Sequence, residues 1–284
     1  MRASRTVLQS VPRRACLPLQ LQHSRLRVLR SHSNETMAQA PASSAPAASE
    51  PAPASTPAAA HAPAPSEMAR AQQNFNSAGV GMFLGMLGGN HALALAHIDV
   101  PDISHIDWRA LRAAGFGGVV FDKDGTLSEP FALAVDPRVR ESLTECMAAF
   151  EGRAVLFSNS AGLTQYDPDG KEAEALEAAL GIPVLRHAEK KPAGGAGEAA
   201  AALGCQPADI IMVGDRYLTD VTYGNRHGML TVRVAPLSTR GEPLGVTLAR
   251  RIEEFFVARW SGGGGRAPPH GRAPAAELGR FVRR

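Results

Sequence analysis

The chain has 284 residues, a net charge of +3 and three cysteines, Cys16, Cys146 and Cys205, with no CxxC spacing. Those cysteines argue against a disulfide framework or a zinc site, and a small net charge that depends on the terminal arms gives no ground for a nucleic-acid partner. Only the middle of the chain is apolar enough to bury a core.

Residues 1–34 contain seven arginines, several serines and no acidic residue, the composition of an organellar transit peptide. A disordered basic arm that binds nucleic acid or membrane is the other reading, and the lack of interleaved aromatics disfavours it. Residues 35–67 are almost entirely Ala, Pro and Ser and cannot bury enough apolar surface to offset the entropy of ordering, so they read as a disordered linker. The foldable part is residues 68–260. Residues 261–284 begin with Gly262 to Gly265 and continue with Pro and Arg, and are expected to form a disordered basic tail.

Within the foldable part, Gly79 to Leu95 is apolar and Gly-rich, with Met82, Phe83, Leu84, Met86 and Leu87 close together. It falls short of the roughly 20 apolar residues that span a bilayer. Two readings stay open: an interfacial helix that brings the protein to a lipid surface, and a helix packed on the core.

From residue 118 onward, short apolar runs alternate with segments of helical period. Strands are predicted at Gly118–Asp122, Ala154–Ser158, Pro183–Leu185, Ile210–Val213 and Leu230–Val234; helices at Pro137–Phe150, Lys171–Leu180, Ala193–Leu203, Thr219–His227 and Val246–Trp260. This pattern predicts an α/β fold with a doubly wound, mostly parallel sheet, in which ligands bind at the carboxyl ends of the strands. Three predicted strands end in polar groups: Asp122-Lys123-Asp124-Gly125-Thr126, Ser158-Asn159-Ser160 and Gly214-Asp215-Arg216. Lys190-Lys191-Pro192 follows the Pro183 run and precedes a helix.

Two carboxylates at i and i+2 after a buried strand repel each other unless a cation or a shared proton offsets the charge. At 4 Å and an effective dielectric near 20, each unit-charge pair is worth about 4 kcal/mol, so clustered Asp122, Asp124 and Asp215 favour a small hard cation. Oxygen-only ligands point to Mg2+ rather than zinc. Such a cation lets a carboxylate approach a phosphoryl group that is itself anionic. Lys191 and Ser158 suit the remaining task of binding phosphoryl oxygens. Gly125 permits a sharp turn, and Thr126 supplies a hydroxyl at the start of the next loop. Singly, each motif is commonplace: an Asp-x-Asp is most often a solvated turn, and a Gly-Asp after a strand is often a helix cap. Together, in this order and each at a strand's end, they are specific.

These four segments resemble the motifs of the haloacid dehalogenase superfamily of phosphohydrolases. The resemblance implies a Rossmann-like core with Asp122 as nucleophile, Asp124 as general acid and base, and Lys191 completing the catalytic set. It implies phosphate binding by Ser158, Asn159 and Thr126. Mg2+ would be held by Asp122, the Asp124 backbone carbonyl and Asp215, with Asp220 orienting the metal's waters. The flanks, including Ser158-Asn159-Ser160-Ala161-Gly162 and Gly181-Ile182-Pro183-Val184-Leu185-Arg186-His187, resemble the organellar phosphatidylglycerophosphate phosphatases. That subfamily often has Asn where this chain has Gly125.

The intervals between the motifs hold one predicted helix each, which leaves no room for a large cap domain. An open site suits a phosphate carried on a bulky lipid. The resemblance therefore implies hydrolysis of phosphatidylglycerophosphate to phosphatidylglycerol, feeding cardiolipin synthesis, with peripheral association at a membrane surface and no nucleic-acid partner. The expected setting is the matrix face of the mitochondrial inner membrane, with the plastid as alternative. The alternatives in function are a phosphatase for a soluble phosphomonoester or phosphoprotein, and a catalytically silent scaffold, which would have no use for both aspartates and the lysine.

Overall fold

A computed structural model of the chain describes residue 85 and residues 89–242 and 244–283. Its centre is a five-stranded, all-parallel sheet: β1 (Ile98–Val100), β2 (Gly118–Phe121), β3 (Ala154–Leu156), β4 (Ile210–Gly214) and β5 (Leu230–Val234), in the spatial order β1-β5-β4-β2-β3. The α-helices between and after them are α1 (Trp108–Ala113), α2 (Arg140–Ala149), α3 (Lys171–Leu180), α4 (Gly197–Leu203), α5 (Thr222–Arg226) and α6 (Leu244–Gly262). This is the doubly wound architecture expected from the alternation of apolar runs and helical segments.

The two faces of the sheet are built by alternation along each strand. Val119 and Phe121 of β2 and Ile211 and Val213 of β4 point into a core closed by Trp108 of α1 and Cys146 of α2. Val120 and Met212 point into the opposite core, closed by Ala199 and Leu203 of α4 and Tyr223 of α5. All residues of β2 and β4 are buried, which is why these strands read as unbroken apolar runs rather than alternating ones. Helix ends follow local chemistry. The Asp107 side chain accepts the Ala110 N–H at 2.9 Å to start α1, and Gly181, with a φ of 70°, ends α3 in the left-handed region.

Three departures from the sequence expectations have physical reasons. Pro183–Leu185 is not a strand: it makes a single parallel bridge, Leu156 to Val184, at the sheet edge. The fifth strand is instead β1, whose three residues carry too little pattern to be read and are specified by pairing with β5 (Ile98 to Val232, Val100 to Val234). The segment expected as a helix over Thr219–His227 begins with a π-helical turn at Tyr217–Val221 before α5, a widening often found at functional sites.

The tail expected to be disordered is folded. After α6 it forms a 3-10 helix at Ala275–Phe281. Phe281 is fully buried and meets Phe116 edge to face at 6.3 Å. The Phe281 carbonyl accepts the Asp107 N–H at 2.8 Å, and Val282 bridges Ile106 antiparallel. Composition alone treats a Pro-, Gly- and Arg-rich stretch as solvated, but a few apolar anchors, Ala273 and Phe281 above all, suffice to dock it. The folded domain therefore extends at least to residue 283.

The same tail meets the sheet at His97. Its Nε2 lies 2.8 Å from the Pro268 carbonyl, so that nitrogen carries the proton, and Nδ1 accepts the Thr231 N–H at 3.1 Å. Burial, together with the nearby His270 ring, depresses the His97 pKa to about 4 even though the Pro268 carbonyl favours the charged form. Nδ1 also lies 2.8 Å from the Thr231 hydroxyl, which accepts the His97 backbone N–H at 3.2 Å and donates to Asn225 Oδ1 at 3.1 Å.

Of the Gly79–Leu95 segment, the structure describes only residue 85 and residues 89–95. His91–Ala94 is a 3-10 turn, and Ala94 and Leu95 are buried beside Tyr217, Val221 and Val257. Phe83, Leu84, Met86 and Leu87 lie outside the described residues, as do the expected transit peptide and linker. Among the described residues no helix is long and apolar enough to cross a membrane.

Candidate active site

β2 and β4 are neighbours, paired from Gly118–Ile210 to Phe121–Val213. From β2 the chain first moves outward to β3 and then returns to the other side as β4, so the loops after β2 and β4 part company at this point. That is the switch point at which open α/β sheets form a crevice. Asp122 leaves β2 and Asp215 leaves β4 side by side, and the Asp122 N–H still donates to the Val213 carbonyl at 2.8 Å.

Carboxylate oxygens of Asp122, Asp215 and Asp220 all lie within 4.8 Å of one another. The π-helical turn brings Asp220 back over Gly214, and the Arg216 N–H donates to Asp220 Oδ2 at 3.1 Å. Lys191, fully buried, stands between two of these acids: its Nζ is 2.6 Å from Asp122 Oδ1 and 2.6 Å from Asp220 Oδ1. The third acid, Asp215, is held through Oδ2 by Arg250 of α6 at 2.9 Å. Arg250 also pairs with Glu242 at 2.6 Å.

Three carboxylates thus face two cations, and Glu242 takes part of the charge of one of them. Burial raises Asp122 to about 7, with Lys191 opposing the shift and Asp220 and Asp215 adding to it. Burial likewise raises Asp215 to about 6, with Arg250 opposing and Asp220 adding. Lys191 shows the converse: burial alone would lower its pKa, but Asp122 and Asp220 outweigh burial and hold it charged. A cluster with surplus negative charge and oxygen donors alone fits a hard divalent cation. Thr126 Oγ1, buried and without a hydrogen-bond partner among the described residues, adds a polar group for a ligand to satisfy.

The other expected site residues are placed with more variety. Asp124 follows Asp122 on the same loop, but its carboxylate stands outside the three-acid cluster. Its Oδ1 accepts the Phe131 N–H at 2.9 Å and pairs with Lys123. Ser158 is buried, and its Oγ accepts the Ser160 N–H at 3.2 Å. Asn159 Oδ1 accepts the Lys191 N–H at 2.8 Å, so this side chain ties the loop after β3 to the loop that carries the lysine. His187 sits in the same region with Nε2 2.8 Å from the Ser158 carbonyl and Nδ1 2.8 Å from the Glu189 carbonyl, and burial lowers its pKa, so the neutral ring donates to one of the two.

Four residues that hold the site together were not anticipated: Lys123, Arg250, Glu242 and Glu253. Glu253 receives the Arg216 guanidinium, with Nε at 3.1 Å from Oε1 and 3.2 Å from Oε2. Arg250 and Glu253 lie three apart on α6 and share its buried face with Val257, whereas Arg251 and Glu254 are exposed. Nothing in the linear pattern distinguishes the two pairs. The signal lies in the packing of α6 against the strand-end loops.

Among the described residues the interval between β2 and β3 holds only α2, that from β3 to Lys191 only α3, each with its loops, and no cap domain covers the strand ends.

Comparison with known proteins agrees with this geometry. Residues 83–237 match a family model described as mitochondrial PGP phosphatase. A Chlamydomonas reinhardtii protein named phosphatidylglycerophosphate phosphatase 1, chloroplastic, is 61% identical over 253 residues, covering 89% of this chain and 93% of that one. Phosphatidylglycerophosphate phosphatase 1, chloroplastic/mitochondrial, of Arabidopsis thaliana is 47% identical over 188 residues, covering 66% and 54% of the two chains. Probable phosphatase YqeG of Bacillus subtilis is 28% identical over 140 residues, covering 49% of this chain and 76% of its own. The motif residues from Asp122 to Asp220 lie inside the matched span, and the chain belongs to the mitochondrial PGP phosphatase family.

Proposed function

We propose that the protein hydrolyses phosphatidylglycerophosphate to phosphatidylglycerol and inorganic phosphate, using Mg2+, inside an organelle. The observation that carries the chemistry is the cluster of Asp122, Asp215 and Asp220 around the buried Lys191. Support for the substrate comes from the names of the relatives. The absence of a cap among the described residues suits a phosphate that protrudes from a bilayer. Chloroplastic and mitochondrial names among the relatives support an organellar setting.

The reaction follows from the residues. Asp122 attacks the phosphorus as its carboxylate, the bond from phosphorus to the glycerol oxygen of the lipid breaks, and Asp124 gives its proton to that oxygen. Lys123 and the Phe131 N–H hold one oxygen of Asp124, so the other carries the proton. Asp124 then takes a proton from a water that attacks the aspartyl phosphate, which frees the Asp122 carboxylate and inorganic phosphate. Lys191 and the loop after β3, with Ser158, meet the phosphoryl oxygens. Asp122, Asp215 and Asp220 would hold the Mg2+, with the Asp124 backbone carbonyl. When bound, the ion neutralises the phosphoryl charge and allows a carboxylate to approach it.

The test is phosphate release from phosphatidylglycerophosphate in mixed micelles, from glycerol phosphate and from a phosphopeptide, with and without a chelator. Faster release from the lipid than from either soluble substrate, abolished by chelation or by Asp122→Asn and restored in the wild type by Mg2+, is the expected result. Preference for a soluble ester would overturn the lipid assignment, and turnover by Asp122→Asn would overturn the mechanism.

A further inference from the structure

α6 has two unlike faces. Arg250, Glu253 and Val257 are buried and reach toward the site. On the opposite side, four large apolar residues face solvent at helical spacing: Leu244 (88% exposed), Leu248 (61%), Ile252 (40%) and Phe255 (67%). They fall at i, i+4, i+8 and i+11, a single stripe along the helix. A soluble protein does not ordinarily leave so continuous an apolar stripe in water unless something covers it.

We infer that this outer face of α6 is the surface by which the protein docks on an anionic lipid bilayer. The occupant follows from charge. Arg251 and Arg259 are exposed beside the stripe, and Arg240 is exposed just before the helix. The acid on the flank, Glu254, is 3.7 Å from Arg233. Apolar residues edged by arginine suit the boundary between acyl chains and anionic headgroups. A twofold pairing of two such faces would instead bring the arginine-edged patch of one copy against the same patch of the other.

Docking through α6 would also hold the site close to the membrane. The segment leading into the helix runs beside the catalytic loop, where the Leu237 N–H donates to the Gly125 carbonyl at 2.9 Å. The inner face of the same helix grips Asp215 through Arg250. Choosing a bilayer as the occupant rests on the lipid-phosphatase reading above, so binding is measured apart from turnover, on vesicles that hold no phosphatase substrate.

The experiment uses the full chain and vesicles of phosphatidylglycerol and phosphatidylcholine. Leu248→Ser with Phe255→Ser should weaken co-flotation by about 100-fold, from the loss of two inserted apolar side chains, while sparing hydrolysis of a soluble phosphomonoester. Phe255→Trp, in a second arm, should fluoresce with added quenching by vesicles whose acyl chains are brominated. Unchanged vesicle affinity in the double variant, or no added quenching in Phe255→Trp, overturns the proposal. So does a double variant that dissociates an oligomer while binding vesicles as the wild type does, since the stripe is then a subunit interface. Vesicle binding through α6 without hydrolysis of phosphatidylglycerophosphate would sustain the docking surface and overturn the substrate assignment instead.

Discussion

A methyl group added at Gly214 would test how tightly the site is assembled. A Cβ built there stands 2.4 Å from both Cβ and Cγ of Asp220 and 2.5 Å from its Oδ2, where ordinary contact begins at 3.4 Å. The nearest atoms include the root of the Asp220 side chain, which cannot swing aside as the end of a long chain would. Gly214 needs no unusual φ, so the steric conflict is isolated from backbone strain. Asp220 must withdraw by about 1 Å, a displacement that can lower a reaction rate by about 100-fold when it reaches the reacting groups. It does reach them, because Asp220 is paired with Lys191, and Lys191 with Asp122. The overpacking costs about 1–3 kcal/mol, which for a domain of this size lowers the melting temperature by about 2–12 °C. The control is Gly197→Ala, where a Cβ meets nothing within 4 Å and the residue opens α4. It should leave activity unchanged and hold or slightly raise stability. Steady-state kinetics and thermal denaturation of the two variants provide the measurement. Gly214→Ala with activity within threefold of wild type and an unshifted melting temperature would refute the reasoning.

Two further outcomes concern stability. Phe281→Ala should destabilise the domain by about 3–5 kcal/mol, seen as a lowered melting temperature with little change in the catalysis of the protein that remains folded; an unshifted transition would show that the tail does not anchor the domain. His97 has a folded pKa of about 4, below its ordinary value of 6.5, so the unfolded chain binds more protons and stability falls as pH drops through that interval. The loss should reach at most about 3 kcal/mol from this residue, and denaturation curves for His97→Gln should show a correspondingly shallower acid slope; an unchanged slope would reject the assignment.

The sequence carried the catalytic edge of this protein because that edge is written locally. Asp122, Asp124, Ser158 and Asp215 each follow a run of buried apolar residues, and a parallel strand covered on both faces cannot hide its pattern. The α/β alternation and the helix at Lys171–Leu180 were legible for the same reason, the latter bounded by Gly170 and Gly181. Tertiary structure alone decided what depends on partners distant in the chain. β1 is three residues long and exists because β5 pairs with it. The tail has the composition of a disordered segment and folds because Phe281 finds Phe116 and the Asp107 N–H. Arg250 and Glu253 look like their exposed neighbours Arg251 and Glu254 until α6 is laid against the loop after β4. That packing buries one pair at the site and leaves the apolar stripe outside. Local pattern reports which faces can be buried, but only assembled packing determines which charges are enclosed with the site and which apolar surface is left in water.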